Sequence, residues 1–192
     1  MNASEKLMKY TFHKAQSLIK KDVVFPEYVF ESNWRLFYFF ASDRMFEEPF
    51  VDLVKKLLTV EKASTCCVIN VSVLEEKVDD TRSFVVIRPE TLPQQYLISL
   101  KEGGPASGWL YGVDAFLASS EKGEWCIYCE RENDIGVLAL NIPDIDCQNL
   151  IVDVLQAIPS SQLYENVVDK VFPFNSLTSS WREKLSGNYQ GR

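Results

Sequence analysis

The sequence predicts an α+β fold, an antiparallel sheet of about five strands with helices packed on it, from three observations. Residues 124–140, EWCIYCERENDIGVLAL, set two apolar runs, 125–129 and 135–140, on either side of a polar stretch, 130–134. Their length and their β-branched and aromatic content favour strand–turn–strand over one helix. Residues 65–74 (TCCVINVSVL) and 83–88 (SFVVIR) flank a charged turn in the same manner and read as a second hairpin. Three further segments, 4–21, 46–59 and 143–158, carry apolar residues at helical spacing.

Ser4 is placed to cap the first helix, whose stripe is Leu7, Met8, Thr11, Phe12, Ala15, Leu18 and Ile19. His13, the only histidine, lies beside that stripe with no nearby carboxylate, a poor catalytic arrangement. Residues 23–40 are dense in aromatics and interrupted by Pro26 and Asn33. They read as an extended segment and then a strand over 35–40, with the rings in the core. Ser42 or Asp43 starts the second helix, and Pro49 moves its regular part to near Glu48. Phe46, Phe50, Leu53, Val54, Leu57 and Leu58 share one of its faces.

After the second hairpin, Pro89 and Pro93 allow a helix only from about Leu92 to Leu100. Gly103, Gly104, Pro105 and Gly108 make a loop. Residues 109–118 are mixed and read as a short helix, and 119–123 as the turn into the central hairpin. With Asn133-Asp134 as a two-residue turn, residue 129 lies opposite 138 and 127 opposite 140. One face then collects Trp125, Ile127, Cys129, Leu138 and Leu140. The other collects Cys126, Tyr128, Val137 and Ala139, with Glu130 at its open end. Both are apolar, so the hairpin is expected in the middle of the sheet, covered on each side, with its charged tip in solvent.

Pro143 stands at the first turn of the third long helix, and Asp144 and Asp146 sit at its positive end. Its apolar set is Cys147, Leu150, Ile151, Val154, Leu155 and Ile158, and Pro159 ends it. Ser160 or Ser161 opens another helix to about Val171. The tail 173–192 keeps Phe174, Leu177, Trp181 and Leu185, so it docks in part before fraying. All 192 residues read as a single domain.

Apolar residues make up 46% and charged residues 24%, a globular composition. Acidic residues outnumber basic ones by 27 to 20, a net charge of −7, which disfavours nucleic acid as a partner. No stretch approaches the roughly 18 apolar residues of a membrane span. The N-terminus is polar and amphipathic rather than a secretory signal, which points to the cytosol.

Five cysteines are the main reactive inventory. Cys126-x-x-Cys129 has zinc or redox spacing, and Cys66-Cys67 would complete four thiolates. Inside strands, however, positions i and i+3 point to opposite faces, as do adjacent residues. A thioredoxin-like pair opens a helix, which this one does not. A Cys–His nucleophile would need His13 over Cys126 or Cys147, with no local signature for it. Gly103-Gly104-Pro105 lacks the strand–helix context and the lysine of a phosphate cradle. The carboxylate pairs Glu47-Glu48, Glu75-Glu76 and Asp79-Asp80 fall on helix starts or turns, as solvated acids do. No catalytic residue, no metal site and no cofactor is expected from the sequence.

The segment GEWCIYCERENDIGVLAL (123–140), preceded by LYGVDAFLASS (110–120), resembles the C-terminal half of small immunity proteins from bacterial polymorphic and contact-dependent inhibition systems. The match is the Trp125 to Tyr128 strand, the charged turn and the Ile135 to Leu140 strand. It implies a non-enzymatic protein that binds and neutralises one cognate toxin, an acidic surface meeting a basic catalytic domain. Two acidic tips are the candidate interface: Glu75, Glu76, Asp79 and Asp80 on one hairpin, and Glu130, Glu132 and Asp134 on the other. Trp109 and Tyr111 are the aromatic alternative. An interaction or scaffold module of another pathway, and an enzyme of unrecognised type, are the competing readings.

Overall fold

A computed structural model describes residues 3–71, 84–102, 108, 112–142, 144–165 and 168–190. Within them lie seven strands: β1 (Leu36–Ala41), β2 (Cys66–Asn70), β3 (Phe84–Ile87), β4 (Ala115–Ser120), β5 (Trp125–Glu130), β6 (Ile135–Leu140) and β7 (Ile158–Pro159). They form one open antiparallel sheet in the order β3-β2-β4-β5-β6-β1-β7. Among the described residues five α-helices pack on it: α1 (Ala3–Gln16), α2 (Glu48–Glu61), α3 (Pro93–Leu100), α4 (Ile145–Leu155) and α5 (Ser179–Asn188). The fold is α+β.

The β5–β6 hairpin occupies the middle of the sheet, and every residue of both strands is buried. Its register pairs Glu130 with Ile135 and Ile127 with Leu138. The turn is therefore the four residues 131–134, two more than expected, closed by the Asp134 N–H donating to the Arg131 carbonyl (3.2 Å). Asp134 does take the left-handed conformation, at φ 54°. A shift of two residues leaves each side chain on its own face, so the predicted division of the faces holds. Gly136 faces Cys129 and Phe40, and a Cβ there would come within 2.6 Å of both. Only glycine lets the two larger groups meet.

The Trp125–Cys129–Leu138 face is covered by α2, α3, α4 and the 3₁₀ turn Ser42–Phe46. Cys129 meets the Met45 sulfur at 3.4 Å, Phe46 packs on Phe116, and the Tyr96 hydroxyl donates to the Met45 carbonyl. The Tyr128–Val137 face is covered by α1, by the aromatic segment 18–34 and by α5. Phe12 meets Phe84, Phe25 meets Tyr128, and Tyr189 meets Phe37 and Phe39. The aromatics of 23–40 are core, as their density suggested, except Tyr28, which is half-buried at its edge.

Several elements depart from expectation. Residues 115–120 are strand β4, not part of a helix and a turn. Ser119 and Ser120 are fully buried and satisfied: the Ser119 hydroxyl donates to the Trp125 carbonyl, and Ser120 Oγ accepts from the amides of Lys122 and Gly123. Strands β4 and β7 raise the count from about five to seven. Helix α1 stops at Gln16 because Ile19 leaves the helical path to bridge Phe30, and the Lys20 N–H goes to the Val29 carbonyl. Helix α2 begins at Glu48, close to the expected start, and ends on left-handed Lys62. Helix α4 is capped by the Asp144 carboxylate accepting from the Cys147 N–H, and left-handed Gln156 ends it before Ile158, which joins β7 instead. Of residues 160–171, those described, 160–165 and 168–171, are not α-helical. Their described amides bond three residues back, as in Leu163 to Ser160 and Val168 to Glu165, giving short 3₁₀ turns. The tail carries α5, capped by Thr178, and buries Leu185 and Tyr189.

Candidate functional site

The central hairpin leads to the site. At the end of β5 the chain turns through 131–134, while Ala115, at the start of β4, pairs with Glu130 and the Arg131 N–H donates to the Asp114 carbonyl. Asp114 is thereby brought beside the tip. The segment 24–25 crosses the same end of the sheet, and Trp181 reaches it from α5. Between them lies a cleft of about 310 Å³. Asp114, Glu130, Glu132 and Asn133 supply its polar lining, and Val24, Phe25, Ala115 and Trp181 its apolar lining.

The three acids differ in environment. Glu130 is only 6% exposed, a correction to the expectation that the whole tip stands in solvent. Its carboxylate accepts from the Phe25 N–H (2.7 Å), the Tyr128 hydroxyl (3.0 Å) and the Asn133 amide (2.9 Å). Burial pushes this carboxyl above its ordinary range; the three donors oppose that shift, and the negative charge of Glu132 adds to it. Glu132 and Asp114 are exposed. Asp134 is half-buried, committed by its left-handed backbone to closing the turn, and does not line the cleft. On the apolar side, Val24 is 57% exposed on the rim, and Phe25 packs edge-on to half-buried Trp181 with ring centres 6.5 Å apart.

A raised carboxylate has a definite sign in the pH dependence of stability. The folded state holds the Glu130 proton more tightly than the unfolded state does. The stability this contributes is therefore present below the ordinary carboxylate pKa and is lost as pH rises through the folded value. Glu130→Gln, which keeps an acceptor for the Phe25 N–H, is expected to remove that dependence. Relative to wild type, the variant gains stability as pH rises above the ordinary carboxylate pKa, as read by urea denaturation at a series of pH values. A difference between the two proteins that is constant with pH would mean that this carboxyl is not shifted.

Of the other predicted site residues, Glu75, Glu76, Asp79, Asp80, Trp109 and Tyr111 lie outside the described residues. Asp114, Val24, Phe25 and Trp181 were not expected at a site, Phe25 being assigned to the core and Trp181 to the docked tail. Only the Phe25 ring and the position of Asp114 just before an apolar run hinted at them, and neither signal points to a site. His13 is exposed on α1. All five cysteines are buried free thiols. Burial pushes each of them up, Cys147 to about 11 and Cys67 to about 12, which suits packing and not nucleophilic attack. Strand geometry places Cys66 and Cys129 on one sheet face and Cys67 and Cys126 on the other, and among the described residues no cluster of His, Cys, Asp or Glu converges on a metal position. A second hollow, of about 250 Å³ beside Tyr28, Trp34 and Asn188, has no charged residue among its described lining. No helix among the described residues is long and apolar enough to cross a membrane. Comparison with protein-family models, with curated proteins and with solved structures finds no match to this chain.

Proposed function

We propose that this protein binds a basic protein partner at the hairpin-tip cleft, and that the partner is a bacterial toxin which it neutralises in the cytosol by direct, non-catalytic binding. The observation that carries the reading is the cleft itself: three carboxylates and an aromatic pair at the end of a central hairpin whose two strands are fully buried. A site on such strands keeps its geometry, so little ordering is required when a partner docks. Exposed Asp114 and Glu132, in a chain of net charge −7, draw a basic surface in and repel nucleic acid. The toxin assignment comes from the resemblance of residues 110–140 to immunity proteins.

Reversal of charge tests the reading, provided that Glu130 is left alone, since a lysine in its buried place would perturb the fold. The double variant Asp114→Lys, Glu132→Lys is expected to melt like wild type. Its association with the product of the gene directly upstream should slow by about tenfold or more, with a weaker salt dependence. Cells producing that product should lose protection. Unchanged association and protection in a folded double variant would remove the cleft from the interface.

A further inference from the structure

We infer that the cleft takes the guanidinium group of an arginine side chain presented by the partner; the inference rests on the reading of the cleft as the partner-binding site. The cleft differs from a patch of surface acids in three respects. It is a half-open hollow of about 310 Å³, at the small end of ligand pockets, which suits one long side chain better than a backbone segment. It has an aromatic wall, Trp181 set against Phe25, on which a flat cation can stack. Its carboxylates are also unequally placed: Glu130 is held in the wall by three donors, whereas Asp114 and Glu132 stand exposed at the mouth.

Charge complementarity selects a cation, because none of the described lining residues is basic and Glu132 already presses on Glu130 electrostatically. The placement of the acids, one in the wall and two at the mouth, then selects among cations. A metal ion needs ligands that converge on one point, and among the described residues these acids form no such group. An ammonium is a compact, strongly hydrated point charge that gains little from an aromatic wall. A guanidinium is planar, carries five donors spread over its edge, and is weakly hydrated on its faces. It can reach more than one separated carboxylate while its face lies on Trp181. Exposed Val24 on the rim offers apolar surface to the methylene stem.

The full-length chain, labelled with ¹⁵N, is titrated with N-acetyl-L-arginine amide, and with the lysine and the uncharged citrulline counterparts, while the Trp181 indole and the amides of Ala115, Glu132 and Asn133 are followed by NMR. Saturable shifts of these signals are expected with the arginine compound. The lysine compound should bind about tenfold more weakly and the citrulline compound not measurably. Asp114→Asn combined with Glu132→Gln should abolish the response without altering the melting curve, and Trp181→Leu should erase the preference of arginine over lysine. Equal binding of arginine and lysine, a response untouched by the double variant, or no saturable shift at these positions would each overturn the inference. The partner-binding reading is judged separately. Protection lost in Asp114→Lys, Glu132→Lys while arginine fails to bind would sink the guanidinium alone; arginine binding with protection intact would sink the reading of the cleft as the toxin interface.

Discussion

Trp125→Ala is expected to cost about 3–5 kcal/mol of stability, the range for truncating a large buried aromatic side chain. The ring has no exposed surface, and its strand lies in the middle of the sheet, paired on both sides. Its indole N–H donates to the Glu61 carboxylate at 2.8 Å, at the end of α2. Burial raises the pKa of that carboxyl, and the Ser120 hydroxyl, the indole and the Glu124 N–H hold the charge against it. Removing the indole therefore opens a cavity and also takes a donor from a half-buried acid, two losses that act in the same direction. Glu132→Ala, at the exposed tip of the same hairpin, should change stability by no more than about 0.5 kcal/mol. Urea midpoints separate the two variants, and coincident midpoints would mean that the hairpin is not the centre of the core.

Tyr189→Ala is expected to have a comparable effect, about 3–5 kcal/mol, although the residue lies in a polar tail. Its ring contacts those of Phe25, Tyr28, Phe30, Phe37 and Phe39. Its hydroxyl donates to the Glu27 carbonyl (2.7 Å) and accepts from the Val29 N–H (3.1 Å). Those two bonds supply partners to the backbone of the aromatic segment as it passes over the sheet. Tyr189→Phe keeps the ring and strips both partners away, so about 1–3 kcal/mol is expected from that change alone. If the two variants cost the same, the ring contacts contribute nothing beyond the hydroxyl. The consequence reaches the cleft, because Phe25 packs on Tyr189 and its N–H holds Glu130 in place. Loosening Tyr189 should therefore also weaken binding at a site to which it contributes no lining.

The sequence by itself determined those features that depend on neighbours along the chain. Alternation assigned Trp125, Ile127 and Cys129 to one face and Cys126 and Tyr128 to the other, and this survived an error of two residues in the turn because the period of a strand is two. Helical spacing located α2 and most of α1 and α4, and apolarity on both faces placed the hairpin in the middle of the sheet. Tertiary structure alone decided what depends on partners far away in the chain. Strand β4 ends in two serines that look like a turn until the Trp125 carbonyl and the amides of 122 and 123 satisfy them. Glu130 looks like a solvated tip acid until the Phe25 N–H, 105 positions away, meets its carboxylate. The cleft draws on residues 24–25, 114–115, 130–133 and 181, four stretches with no shared local pattern. Local sterics specify which way a side chain points; whether that direction leads to water, to a hydrogen-bond donor or to an indole ring depends on how the rest of the chain packs around it.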